Sequence, residues 1–333
     1  MSINTDNSGT DIFSSRVELK PYEYNEFLDY KEAIQQSYWV HDEFNFSGDV
    51  QDFKVNTTDV EKSVIRKTML AISQIEVNVK TFWSEIFKKM PKPEVGSVGH
   101  TFAESEVRHM DAYSHLLEIL GIQDDFSEIT EVPAIQGRIE YLDDCLEGAE
   151  SEDKQEYAQS IMLFSIFVEH VSLFSQFLIM TSFDKYEKKF KGISNAVEAT
   201  SKEEQIHGLF GVELIETIKD EYPDLFDEEF EAEVQDACRK AYKAEQGILD
   251  WIFSEGELDF LPREHIDEFM KNRFNESLEK VDVEPIYDID EDVLEETRWF
   301  DEDVMMTKDN DFFSKRSTTY NKNTKSVTTE DMF

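Results

Sequence analysis

The chain has 333 residues, 40% of them apolar, with only 12 Gly and 7 Pro; this allows a sizeable core and disfavours a turn-rich β architecture. Lys and Arg number 33 against 74 Asp and Glu, a formal net charge of −41, and such a surface repels phosphate backbones and argues against direct nucleic-acid binding. The opening MSINTDNSGTDIF has no apolar signal core, no apolar run approaches the roughly 18–20 residues of a bilayer span, and Cys145 and Cys238 form no CxxC pair, so a soluble protein of a reducing, cytoplasmic compartment with no membrane partner is expected.

Residues 1–20 are polar and are expected to be disordered; a helical domain follows over 21–300. Thr58-x-x-Glu61 has the form of a capping box and predicts a helix running to about Lys89, where MPKPEVG breaks it. A second long helix is predicted from about His100 to Leu120, stopped by Gly121. Further helices are predicted over about Ala134–Leu146, Glu152–Ser182, Ile193–Tyr222, 226–255 and 263–280. The richest apolar stretch, Ile161 to Met180, is interrupted by Glu169, His170 and Gln176. From Val281 the chain turns polar, and 301–333 reads as a flexible tail with spaced aromatic anchors at Phe312, Phe313, Tyr320 and Phe333, the composition of a docking peptide.

Two motifs carry chemistry: Glu106-Val-Arg-His109 and Glu204-Gln-Ile-His207. Glu-x-x-His on a helix puts a carboxylate and an imidazole on one face, so one ion can take both. Alone the pattern is weak, and Ser201-Lys-Glu-Glu204 is also compatible with an ordinary capping box. Two neighbouring stripes strengthen it. Met69, Ile72, Glu76, Val79 and Trp83 share one helical face, and Met162, Ile166, Glu169, Leu173 and Phe177 another. Each stripe sets one carboxylate in an apolar face with no Lys or Arg, which costs several kcal/mol unless the charge is paired or metal-bound. The order Glu, Glu-x-x-His, Glu, Glu-x-x-His is that of ferritin-like di-metal carboxylate bundles. Four carboxylates balance two divalent ions, and oxygen-rich ligation suits iron or manganese.

Tyr113 follows His109 by four residues and so lies within about a turn of the motif. With Trp39 in SYWVHDEF, the stretches AISQIEVNVKTFW, ESEVRHMDAY, FVEHVSLFSQF and SKEEQIHGLFG, and the tail DFFSKRSTTY ending in TEDMF, the chain resembles the small, radical-generating subunit (β, or R2) of class I ribonucleotide reductase over nearly its whole length. The resemblance implies an all-α, ferritin-like bundle with additional helices. It implies metal ligands Glu76, Glu106, His109, Glu169, Glu204 and His207 for two ions, Fe/Fe first, with Mn/Fe or Mn/Mn as alternatives. It places a tyrosyl radical at Tyr113, a shielding pocket at Leu173 and Phe177, a relay through Trp39 and Tyr320, and large-subunit docking at Phe333. The implied partners are a second copy in a homodimer, the large catalytic subunit that carries the nucleotide site, O2 or a reduced oxygen species, and an activation protein. Two positions depart from the family's commonest pattern. Glu76 and Glu203 stand where Asp is usual, the second orienting a His–Trp hydrogen-bond chain; Glu203 also reads as a plain surface charge. Rival readings are a di-iron oxidase on the same bundle, a ferritin-like storage protein, and a structural bundle with surface salt bridges.

Overall fold

The computed structural model describes residues 10–77 and 79–305, and among them helices account for all regular structure apart from one isolated bridge between Leu258 and Leu261. In chain order the helices are α1 Phe27–Ser37, α2 Ser47–Gln51, α3 Asp59–Ile75, α4 Val79–Glu85, α5 Pro93–Leu120, α6 Pro133–Glu147, α7 Lys154–Leu163, α8 Phe174–Ser182, α9 Lys191–Glu221, α10 Glu228–Ile252, α11 Arg263–Glu279 and α12 Glu291–Leu294. α3, α5, α9 and the line α7–α8 form the central bundle. α1 lies across α5 and α9, while α6, α10 and α11 pack on the other flank.

Local chemistry sets the ends of these helices. The capping box of α3 forms: the Thr58 N–H donates to Glu61 Oε2 at 2.6 Å and the Glu61 N–H to Thr58 Oγ1 at 3.2 Å. α5 ends at Gly121, whose φ of 74° is the left-handed conformation glycine adopts without strain. Its start differs from expectation. Pro93 occupies the first turn, where its missing N–H costs nothing, so only the first half of MPKPEVG is a break and the helix begins a full two turns before His100. Buried Glu94 then accepts from the backbone N–H groups of Glu23 and Tyr24 at 2.9 and 3.1 Å. Within the stretch expected to be disordered, residues 10–20 form no helix, but Ile12 is fully buried and its N–H donates to Glu221 Oε2 at 2.7 Å.

Two helices expected to be continuous are interrupted, each at a carboxylate. The helix from Thr58 divides at Glu76 into α3 and α4. The helix through Glu169 widens into a π-helical segment, Phe164–Ser172, between α7 and α8. Such wide turns disrupt the ordinary backbone ladder and re-aim a side chain. α9 lies so close to this segment that a side chain at Gly211 would overlap Ser165. The whole line Lys154–Glu187 is, by length and composition, apolar enough to cross a bilayer, contrary to the reading of its sequence; its apolar window is entirely buried among the other helices, as in the core helix of a bundle.

Candidate metal centre

Six side chains converge inside the bundle. Glu76 comes from the end of α3, Glu106 and His109 from α5, Glu169 from the π-helical segment, and Glu204 and His207 from α9. All are at most 1% exposed. Their donor atoms form two groups, Glu76–Glu106–His109–Glu204 and Glu106–Glu169–Glu204–His207, within each of which the atoms lie within 4.8 Å of one another. Glu106 and Glu204 belong to both groups, the position of bridging carboxylates.

Spacing inside the cluster is that of ligands around shared ions. His109 Nδ1 lies 2.9 Å from Glu204 Oε1, and His207 Nδ1 lies 2.8 Å from Glu106 Oε1. Yet both oxygens of Glu76, both of Glu106, Glu204 Oε1 and His109 Nδ1 have no hydrogen-bond partner. Two ligands at right angles on an ion about 2.1 Å away are themselves about 3 Å apart. Buried carboxylate oxygens left unpartnered are costly, and two divalent ions would satisfy them while cancelling four negative charges. The residues therefore fit a two-ion centre.

The imidazoles are held for that task from behind. His109 Nε2 meets Glu203 Oε2 at 2.8 Å, and a carboxylate there accepts the Nε2–H and leaves the Nδ1 lone pair facing inward. Ser105 does the same for His207. Its hydroxyl donates to the Phe102 carbonyl at 2.8 Å, so toward His207 Nε2, 3.0 Å away, it acts as acceptor. Glu169 is oriented by the Trp83 indole N–H, which donates to its Oε1 at 2.7 Å. Glu203 is fully buried and paired with Arg108 at 3.2 Å, which overturns its reading as a surface charge. Neither Ser105 nor the Trp83–Glu169 bond was anticipated from the sequence; the only signals were a Ser beside Glu106 and a Trp on the Glu76 stripe.

Electrostatics of the metal-free cluster follow from crowding. Burial, with the charges of Glu106 and Glu204 adding to it, pushes the Glu76 and Glu169 carboxyls well above their ordinary value. Burial alone would lower His109 and His207, but the surrounding carboxylates outweigh it and hold both imidazoles well above the usual range. Glu204 goes the other way: burial would raise it, but the two imidazoles outweigh burial and hold it below the ordinary carboxylate value.

Tyr113 is 1% exposed and its phenol oxygen has no hydrogen-bond partner. Burial, then the Glu76 charge, pushes its ionisation upward, so the phenol stays neutral. Leu173 and Phe177 are buried in the same core. Trp39 stacks on His109, ring centres 5.7 Å apart and planes at 17°, while its carbonyl accepts from Arg108 at 3.1 Å. The Trp39 indole N–H has no partner, so the expected His–acid–Trp hydrogen-bond chain stops at Glu203 and the ring reaches the site by stacking instead. Phe312, Phe313, Tyr320 and Phe333 lie outside the described residues.

Comparison with known proteins gives a consistent result. The family model described as ribonucleotide reductase, small chain, matches residues 16–293. The chain is 24% identical over 326 residues to the protein of Invertebrate iridescent virus 3 named probable ribonucleoside-diphosphate reductase small subunit 048L, covering 93% of this chain and 86% of that one. Among solved structures, the ribonucleotide reductase R2 subunit from Clostridium botulinum superposes with a TM-score of 0.75 at 20% identity, covering 84% of this chain and 88% of that one. An R2-like ligand-binding oxidase with a reconstituted Mn/Fe cofactor superposes at 0.68 with 18% identity, covering 79% and 95%. At these identities the superpositions establish the fold, which reductase subunits and oxidases share.

Proposed function

This chain belongs to the ribonucleotide reductase small-chain family, and from that premise we propose that it makes and stores a tyrosyl radical for a large subunit that reduces ribonucleotides to deoxyribonucleotides. The observation that carries this reading is the neutral, fully buried Tyr113 phenol beside a pocket of unpartnered carboxylates. Glu76, His109 and Glu169, His207 would each serve one ion, with Glu106 and Glu204 bridging. Bound ions supply the activation of O2 and the one-electron oxidising power; iron suits the ligand set first, with Mn/Fe or Mn/Mn as alternatives.

The chain's own groups do the rest. Glu203 and Ser105 fix the imidazole tautomers, Trp83 orients Glu169, and the apolar walls exclude water that would quench a radical. Burial and the Glu76 charge raise the Tyr113 ionisation, so the phenol carries its proton until the ring is oxidised. Trp39, stacked on His109, would carry the electron between the pocket and the α1 end of the bundle, and Tyr320 in the tail would pass it to the large subunit, with Phe333 as a docking anchor. The nucleotide site would lie on that partner. A homodimeric, cytoplasmic protein, with O2 or a reduced oxygen species and an activation protein as further partners, completes the reading.

Tyr113→Phe tests it. After loading with iron, or with manganese and iron, and exposure to O2, the parent protein should give a tyrosyl EPR signal. The variant should keep its metals and lose the signal. An unchanged signal would move the radical to another tyrosine. Absence of any signal in both proteins, with oxidation of a small substrate instead, would favour the oxidase reading.

A further inference from the structure

The pocket has an aromatic contact at each histidine. Trp39 covers His109, as described. At the His207 end stands Trp83, fully buried, its N–H on Glu169 at 2.7 Å and its ring 5.9 Å from the His207 ring. Behind Trp83 lies Phe210, ring centres 5.9 Å apart, and behind Phe210 lies Tyr30 at 5.4 Å. Tyr30 is on α1 and half-buried, so this file of rings leads from the pocket to the surface. Its hydroxyl donates to Glu213 Oε2 at 3.3 Å. Burial, followed by the Glu213 charge, raises the ionisation of Tyr30, and burial with the Glu216 charge raises that of Glu213, so the phenol keeps its proton beside a carboxylate of more than usual basicity. Phe would fill both positions but cannot be oxidised; Trp83 and Tyr30 can, and the Tyr30 phenol proton already has an acceptor in Glu213. The mouth of the file is acidic, with Glu26, Asp29, Glu213 and Glu216 around Tyr30.

We propose that Trp83, Phe210 and Tyr30 form a second electron route into the metal pocket, entering at the His207 end and fed by a cationic one-electron donor. The route rests on the di-metal reading above, because its inner oxidant is the oxidised centre. Trp83 gives one electron to that oxidant and stands as a cation radical that keeps its N–H on Glu169. Tyr30 then returns one electron to Trp83 across Phe210, and the Tyr30 phenol proton passes to Glu213. The Tyr30 phenoxyl takes one electron from the external donor and recovers its proton. The sum is one electron moved inward and no proton consumed. An acidic mouth selects a donor of opposite charge by steering its approach.

The test uses the full chain, metal-free, with its tryptophans photo-ionised by an ultraviolet laser flash. The tryptophanyl signal should decay as a tyrosyl signal grows. Part of that growth should be lost in Tyr30→Phe, a conservative change at a half-buried ring, and the same part in Trp83→Phe. Equal signals in parent and Tyr30→Phe overturn the route. In the metal-loaded protein, a cationic small-molecule reductant should discharge the oxidised centre more slowly in Tyr30→Phe and more slowly at high salt. Discharge at the same rate in parent and Tyr30→Phe also overturns it. A chain that binds no metal defeats the di-metal reading, and the metal-free flash result still decides between Tyr30–Trp83 transfer and its absence.

Discussion

Two charged clusters are buried in this bundle, and they are built on opposite principles. On one flank, Arg138 from α6 is completely enclosed, and each of its three nitrogens is hydrogen-bonded. Its Nε and Nη2 donate to the two oxygens of Glu245 at 3.0 and 2.6 Å, Nη2 also to Gln176 Oε1 at 3.1 Å, and Nη1 to the Ala71 carbonyl at 3.0 Å. The same α3 and the α7–α8 line that contribute Ala71 and Gln176 also carry Glu76 and Glu169, whose pocket gathers four carboxylates with no Lys or Arg among them. The first cluster closes on itself and joins four helices. The second leaves six ligand atoms open. A satisfied ion pair needs nothing more from solution, whereas an unsatisfied one has a ligand as its missing part.

Breaking the first cluster should have the largest effect on stability. Arg138→Ala strands a fully buried Glu245 and should cost about 3–5 kcal/mol in urea unfolding, whether or not metal is present. Cutting the second should act chiefly through metal, beyond the cost, about 1–3 kcal/mol, of leaving the Trp83 indole N–H unpaired. Glu169→Ala should leave the bundle folded but abolish the stabilisation that metal confers, about 4 kcal/mol for the parent at a free metal concentration roughly a thousandfold above Kd. Two metals per chain retained in Glu169→Ala would remove that residue from the centre.

Acidity sharpens the contrast further. In the metal-free protein the folded-state values of Glu76, Glu169, His109 and His207 are raised while the neighbouring imidazoles lower that of Glu204, so above the ordinary carboxylate range the folded pocket binds more protons than the unfolded chain. That contribution is complete below the ordinary Glu and His values and is lost as pH rises through the folded ones. Metal-free protein should therefore unfold at lower urea at about pH 8 than at about pH 6, while metal-loaded protein, whose ligands are already deprotonated, should hold its midpoint or gain. A metal-free midpoint that rises over this range would contradict the pocket's proton content. The smallest effects belong behind the ligands. Glu203→Gln should weaken metal binding about 10–100-fold, because Gln can present its N–H to His109 Nε2 and release the tautomer. Ser105→Ala should fall at the low end of that range by removing one neutral acceptor. Competition with a chelator of known affinity measures both, and no change in either would make Glu203 and Ser105 packing residues only.

The bundle was legible because its signals are local and periodic. The Thr58–Glu61 box, the Gly121 stop and the stripes around Glu76 and Glu169 each depend on neighbours within a few turns. The stripes brought the right carboxylates into view even where the helix then departed from α geometry. The breaks at Glu76 and along Phe164–Ser172 were invisible, since neither has a composition of its own; the π-helical segment packs against α9 and α11, which the local sequence does not reveal. Glu203 was ambiguous for a related reason. Beside Lys202 and Glu204 it reads as one more charge, and only Arg108, 95 residues earlier in the chain, makes it a buried partner of His109.

By itself the sequence determined the helical class, the order of the carboxylates and histidines, and the small-chain family, because periodicity and motif spacing are properties of the one-dimensional chain. The tertiary structure decided which atoms face which: His207 onto Ser105 and not onto a carboxylate alone, Glu169 onto the Trp83 indole, Trp39 stacked and not hydrogen-bonded, and Tyr30 lined up behind Phe210. Each of these pairs joins residues far apart in the chain. Their meeting depends on crossing angles and close approaches such as that of Gly211 to Ser165, which packing fixes only when all the helices are in place.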